Sequence, residues 1–283
     1  MNGLRPGGPR VLVFDSGLGG LTVFAAIAAA RRDAALTYVA DDAAFPYGAL
    51  DERALVGRVM TVMAEMIARH APDIVVIACN TASTLVLASL RGRYPRLAFV
   101  GTVPAIKPAA AASRSRLVSV LGTPGTVARD YTHALVRDHA GDCEVALIGS
   151  ARLARVAEDW MRGRAVDEAE IAREIAPCFV EKAGRRTDSI VLACTHYPLL
   201  LDHFARTAPW PVAYVDPAAA IARRVDVLLG PAAAPSREAA SAGAARAYFT
   251  SGIAPRGSLR AALAGFGLAA APEAAMEPAF GAP

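Results

Sequence analysis

The sequence predicts an α/β protein of two related halves, each built on an open parallel sheet with flanking helices. Three observations lead there. Short apolar strands alternate with amphipathic helices along most of the chain, the pattern of strand–crossover–strand units. The run Ile74–Ala78 is continuously apolar, as suits a parallel strand buried on both faces. One segment also echoes another. Asp73-Ile74-Val75-Val76-Ile77-Ala78-Cys79-Asn80-Thr81 matches Asp188-Ser189-Ile190-Val191-Leu192-Ala193-Cys194-Thr195-His196, with six positions from Asp to Cys in each.

In chain order, Val11–Phe14 reads as the first strand. It leads through Asp15-Ser16-Gly17-Leu18-Gly19-Gly20 into a helix reaching about Arg32. Leu36–Ala40 is the next strand. Asp51 to His70 reads as a long helix, because Ala54, Leu55, Val59, Val62, Met63, Met66 and Ile67 recur at three- and four-residue steps. Arg10–Gly17 has a counterpart in Arg116–Thr123, so the second half begins near residue 116. Pro104-Ala105-Ile106-Lys107-Pro108 reads as a hinge. The expected division is 1–105 for the first α/β domain and 106–222 for the second. Residues 223–283 return to the first, with a strand at Ala247–Thr250. The last fifteen residues or so, rich in Ala and Pro, are expected to be a disordered tail.

Composition excludes several classes of function. Of 283 residues, 54% are hydrophobic and 20% charged, which is not the balance of a disordered chain. The net charge is +4 and no Lys/Arg block stands out, so neither direct nucleic-acid binding nor a membrane-surface patch is expected. The longest apolar run, Leu18–Ala30, is too short to span a bilayer, and no apolar signal segment precedes the first strand. The four cysteines, Cys79, Cys143, Cys178 and Cys194, form no CxxC pair. A cytoplasmic protein with reduced thiols is expected. No Gly-Lys-Ser/Thr occurs, which excludes a P-loop. Lys107 and Lys182 are the only lysines that pyridoxal phosphate could use, and Lys182 lies in a polar stretch read as a solvated helix. No cofactor is expected.

Ligands of open α/β sheets bind beyond the carboxyl ends of the strands. Asp15-Ser16-Gly17, Cys79-Asn80-Thr81, Thr123-Pro124-Gly125-Thr126 and Cys194-Thr195-His196 all fall there. Alone, each has an ordinary reading: a strand-end Cys as a small core residue, Asp15-Ser16 as a helix cap, Thr-Pro-Gly-Thr as a turn. Repetition weighs against this. Two thiols at equivalent points can serve opposite faces of one carbon, one removing a proton and the other delivering one. A thiolate, with a parent pKa of about 8.5, is better matched than a carboxylate to a weak carbon acid. Asp15 is a candidate partner for Cys79, and His196 for Cys194. Hydroxyls of Ser16, Thr81, Thr123, Thr126 and Thr195 are candidates to hold a substrate carboxylate. His133 and His139 fit no metal spacing and read as surface residues. His70 reads as a protonated ring at a helix end, His203 as solvated, and Cys143 and Cys178 as structural.

Together with Phe45-Pro46-Tyr47-Gly48 and Ala193-Cys194-Thr195-His196-Tyr197-Pro198-Leu199-Leu200, these segments resemble the glutamate racemase family of the cofactor-independent aspartate/glutamate racemase superfamily. The matching pieces run in family order over most of residues 10 to 217. The resemblance implies two pseudo-symmetric domains with the active site between them. It implies Cys79 as the base for D-glutamate and Cys194 as the base for L-glutamate, assisted by Asp15, Glu158 and His196. Asp15, Ser16, Pro46, Tyr47, Gly48, Asn80, Thr81, Thr123, Thr126, Thr195 and His196 would line the pocket. D-glutamate would supply peptidoglycan synthesis, and a homodimer is a possible assembly. Where many members carry Ala-Cys-Pro before the assisting glutamate, this chain has Gly149-Ser150-Ala151-Arg152. Two alternatives stay open: an aspartate or hydantoin racemase, and a two-lobed ligand-binding or gyrase-binding protein.

Overall fold

In the computed structural model, which describes residues 8–232 and 245–275, β1 (Arg10–Asp15) lies between two parallel neighbours, β2 (Ala35–Ala40) and β3 (Ile74–Ile77). Beyond β3 lies β4 (Ala98–Gly101). Beyond β2 lie β11 (Ala245–Phe249) and β12 (Leu268–Ala275). All pairings are parallel, in the order β12-β11-β2-β1-β3-β4. The second sheet joins β5 (Leu117–Gly122), β6 (Glu144–Gly149), β9 (Ser189–Ala193) and β10 (Ala213–Val215), again all parallel, in the order β10-β9-β5-β6. Read from the other edge this is β6-β5-β9-β10, the counterpart of β2-β1-β3-β4. The sequence echo is thus an echo of topology, with β3 and β9 in equivalent places.

Helices α1 (Leu21–Ala30), α2 (Glu52–His70), α3 (Asn80–Arg93), α10 (Ala218–Leu229) and α11 (Gly257–Gly265) accompany the first sheet. Asp51 starts α2, its carboxylate accepting from the Ala54 N–H at 2.8 Å. The periodic stripe Leu55, Val59, Val62, Met63 and Met66 then faces inward and meets Leu12, Phe14, Val75 and Ile77. Burying a side chain of this size contributes about 1.5–3 kcal/mol. Arg31, fully buried, pairs with Asp33 at 2.8 Å and donates to the Gly230 carbonyl at 2.9 Å, which caps the end of α10.

The second sheet carries α4 (Ile106–Ala112), α5 (Pro124–Val127), α6 (Asp130–His139), α7 (Leu153–Met161), α8 (Glu168–Ile175) and α9 (Leu201–Thr207). Its core includes Ile106, Val118, Val120 and Val191. The described residues form two compact units. One takes those up to Thr102, Met161–Gly163 and those from Ala218 onward; the other takes Val103–Trp160 and Arg164–Pro217. No helix among the described residues is long and apolar enough to cross a membrane.

Four local expectations differ from the structure. The stretch at Lys182 is not helical: β7 (Glu181–Lys182) and β8 (Arg185–Arg186) form a hairpin. Ala183 and Gly184 take left-handed φ values of 50° and 72°, as a tight two-residue turn requires. His203 is buried rather than solvated, its Nδ1 2.8 Å from Glu168 Oε1 and its ring edge-on to Trp160. His70 does end α2, but burial and the charges of Arg69, Arg246 and Arg10 lower its pKa and favour the neutral ring over the expected protonated one. Part of the expected disordered tail is strand β12, through Ala275; the remainder lies outside the described residues.

Candidate active site

The first group of candidate residues is built by adjacent parallel strands. Because β1 and β3 run side by side, their carboxyl ends deliver Ser16 and Cys79 together, with Cys79 Sγ 3.5 Å from Ser16 Oγ. Asp15 closes β1 and is completely buried; its Oδ2 accepts from the Gly17 N–H at 2.9 Å. Gly20 allows this close approach. A Cβ there would lie 2.8 Å from Asp15 Cβ and 3.0 Å from Ala78 Cβ. Cys79 caps α3, whose first residues are Asn80 and Thr81. The N-terminal end of a helix dipole favours negative charge at that point. Among the described residues, both polar atoms of the buried Asn80 amide lack a hydrogen-bond partner. Such a group costs about 1–3 kcal/mol unless satisfied, and a polar ligand would satisfy it.

Phe45-Pro46-Tyr47-Gly48 follows β2 at the same edge of the sheet. The Phe45–Pro46 peptide is cis, and Tyr47–Ala49 forms a short 3₁₀ turn. Tyr47 is buried, and its hydroxyl donates to Asp41 Oδ2 at 2.6 Å. Burial, then the charges of Asp41 and Cys79, hold its phenol well above its ordinary pKa. Gly48 is exposed, with open space where a Cβ would stand.

The second group sits at the equivalent ends of β5 and β9. Thr123 follows β5 and caps α5: its Oγ1 accepts from the Thr126 N–H at 3.2 Å and lies 2.9 Å from Thr126 Oγ1. Cys194, Thr195 and His196, all buried, follow β9. Cys194 Sγ lies 4.0 Å from His196 Nδ1, and His196 Nε2 lies 3.1 Å from Glu158 Oε1. With Glu158 ionised, Nε2 carries the proton that faces it, which leaves the Nδ1 lone pair toward the thiol. Glu158 is presented by α7, whose start is held by Ser150. Ser150 Oγ accepts from the Leu153 N–H at 3.1 Å and donates to Glu174 Oε2 at 2.5 Å. The Ser150 carbonyl and the Gly122 carbonyl both accept from Tyr197 Oη, at 3.2 and 3.0 Å. Gly149-Ser150-Ala151-Arg152 therefore fixes both α7 and the residue after His196.

Within the first unit the structure joins Ser16 to Cys79; within the second it joins Cys194, His196 and Glu158, and Thr123 to Thr126. The other two cysteines stand apart. Cys178 is fully buried and its thiol is pushed up to about 12. Cys143 is half-buried, 3.9 Å from the Ala110 carbonyl. His133 and His139 are exposed. Among the described residues no three or more His, Cys, Asp or Glu side chains are grouped to hold a metal ion. Sequence reasoning missed Asp41, the partner of Tyr47. Its one signal was position, directly after β2 at the edge where Asp15 ends β1.

The Asp/Glu/hydantoin racemase family profile matches residues 19–225. A glutamate racemase of Brucella anthropi is 57% identical over 221 residues, covering 78% of this chain and 80% of that one. A glutamate racemase of Brucella canis is 53% identical over 258 residues, covering 91% of this chain and 92% of that one. Among solved structures, Escherichia coli glutamate racemase, in complex with L-glutamate and the activator UDP-MurNAc-Ala, superposes with a TM-score of 0.83. It is 37% identical and covers 93% of this chain and 97% of its own. A glutamate racemase isoform of Bacillus anthracis, 23% identical, shares the fold with a TM-score of 0.75 over 94% of this chain and 97% of its own.

Proposed function

The chain belongs to the Asp/Glu/hydantoin racemase family, and from that premise we propose that it interconverts L- and D-glutamate by two-base proton transfer at the α-carbon. One observation carries the assignment of bases. Two cysteines, neither in a disulfide, follow topologically equivalent strands, Cys79 after β3 and Cys194 after β9, and each has a polar neighbour. In the L-to-D direction the Cys194 thiolate takes the α-proton, and the Cys79 thiol delivers its proton to the opposite face. The enzyme is left with Cys194 as thiol and Cys79 as thiolate, the starting state for the reverse reaction. No electrons are exchanged, so the step balances without an oxidant or reductant.

The carbanion-like transition state is stabilised where charge builds on the substrate carboxylate. Ser16, Asn80, Thr81, Thr123, Thr126 and Thr195 supply the polar donors, and Asp15, Pro46, Tyr47 and Gly48 complete the pocket of this reading. His196, held by Glu158, accepts from and returns a proton to Cys194. D-glutamate made this way feeds peptidoglycan synthesis. A cytoplasmic location, which keeps both thiols reduced, and a homodimeric assembly belong to the same reading.

Circular dichroism of L- and D-glutamate with purified protein and no added cofactor tests it. The expected result is decay of either enantiomer to a racemic mixture. Racemisation of aspartate or a hydantoin in preference to glutamate would move the assignment to the rest of the family.

A further inference from the structure

Asp41 follows β2 where β1 delivers Asp15, and its backbone N–H donates to the Asp15 carbonyl at 2.8 Å. Its carboxylate is completely buried, a position that is costly unless paired and fully hydrogen-bonded. Three side chains from separate segments meet that requirement. Tyr47 Oη donates to Oδ2 at 2.6 Å, and Thr250 Oγ1 donates to Oδ1 at 2.6 Å. Arg58 of α2 spans both oxygens, with Nε at 3.1 and 3.0 Å and Nη2 2.5 Å from Oδ1. Asp42 reinforces the arrangement by accepting from the Ser251 N–H at 2.9 Å and the Ser251 hydroxyl at 2.7 Å. The Ala43 N–H donates to Thr250 Oγ1 at 3.2 Å. The segment after β2 is thus tied to α2 and to the turn after β11.

We infer that Asp41 is a positioning residue that, with Arg58 and Thr250, clamps the Phe45–Gly48 loop and holds Tyr47 beside Cys79. The single proton of the Tyr47 hydroxyl is committed to Asp41. Tyr47 therefore serves the site as a wall and a fixed point for its backbone, not as a proton donor to substrate. This inference rests on the racemase reading for its kinetic consequences and on the buried network alone for its structural ones.

The test uses Thr250→Val, Thr250→Ser and Tyr47→Phe in the full-length protein, each checked for folding by thermal melting. Thr250→Val removes one clamp bond at nearly constant shape. It should raise KM for both enantiomers about threefold to tenfold while kcat changes much less. Thr250→Ser keeps the hydroxyl and should restore wild-type KM. Tyr47→Phe should behave like Thr250→Val, and the double variant should lose less than the product of the two, since both act through one carboxylate. A loss of kcat above about a hundredfold in Tyr47→Phe, the scale of a proton-transfer group, would overturn the inference. So would wild-type KM in Thr250→Val. Amide hydrogen exchange over residues 45–50 reads the clamp independently of activity: faster in Thr250→Val, wild type in Thr250→Ser. Unchanged exchange overturns the clamp. A folded wild type inactive on both enantiomers overturns the racemase reading and leaves the exchange result to decide the clamp.

Discussion

His196 Nε2 lies 3.1 Å from Glu158 Oε1, with both side chains buried, while His196 Nδ1 faces Cys194 at 4.0 Å. The carboxylate, carried by α7, orients a ring that follows β9, so the imidazole reaches the thiol in one tautomer. Glu158→Gln keeps the shape but removes this preference, because the amide can either accept from Nε2–H or donate to a bare Nε2, and the ring is no longer held in the tautomer that offers Nδ1 to the thiol. We expect kcat/KM to fall by about tenfold to a hundredfold, below the 10²–10⁴ of a group that itself transfers the proton. Because enantiomers have equal free energy, kcat/KM must fall equally in both directions, and asymmetry can appear only in kcat and KM separately. Steady-state kinetics from each enantiomer measure this, and an unchanged kcat/KM would leave Glu158 without a role in the reaction.

Gly20 is the residue that lets Asp15 sit against Ala78. In Gly20→Ala the new Cβ would meet Asp15 Cβ at 2.8 Å, Ala78 Cβ at 3.0 Å and Tyr38 Oη at 3.2 Å. Two of these are short, stiff neighbours at the end of the central strands, so the backbone must shift. Overpacking of this kind costs about 1–3 kcal/mol. Denaturant unfolding should show that loss, together with a larger fractional loss of activity than of stability, since the displaced residues adjoin Ser16 and Cys79.

The central strands and long helices were legible because hydrophobic period alone fixes them. Ile74–Ile77 is buried throughout, and α2 buries the stripe that its spacing marks out. The cysteine echo was legible because equivalent strands carry it. Most of what escaped was made by contacts distant in sequence. A separation of 38 positions in sequence hides the pairing of His196 and Glu158, and only the family resemblance singled out Glu158. Asp41 meets Thr250 across 209 residues, and nothing local marks either. His203 reads as polar and exposed until Glu168 and Trp160 are found beside it. The Lys182 hairpin was missed because two residues with positive φ, one of them an alanine, decide it.

His70 gives the fold a pH dependence of known sign. Burial first, then Arg69, Arg246 and Arg10, lower its pKa below 6.5 in the folded protein, and its ring meets Tyr248 edge-on. In the unfolded chain it returns to about 6.5. As pH falls through about 6.5 the unfolded chain takes up a proton that the folded one refuses, so stability declines until the folded pKa is reached. Melting temperatures at pH 7.5 and about 5.5 should therefore fall further in wild type than in His70→Gln. Equal slopes would show that His70 titrates alike in both states.

The bases themselves are tested by where the hydrogen comes from. L-glutamate is incubated with wild-type protein in D2O. Cys194 removes protium from the α-carbon, while Cys79, already exchanged with solvent, delivers deuterium to the opposite face. D-glutamate formed early should therefore carry deuterium at Cα almost completely, and the remaining L-glutamate should still carry protium. Return of the intermediate to L-glutamate does not blur this, because a shielded Cys194 gives back the proton it took. A single base serving both faces predicts otherwise: it carries the original protium into the product or labels the recovered substrate. Mass spectrometry of the separated enantiomers at under about a tenth of conversion keeps chemistry apart from later recycling. Starting from D-glutamate must give the mirror result, with Cys79 removing and Cys194 delivering. Cys79→Ser and Cys194→Ser should each lower kcat/KM in both directions by at least about 10²–10⁴. Substantial protium in early D-glutamate would end the assignment of Cys79 and Cys194 as opposed bases, whatever the two variants lose.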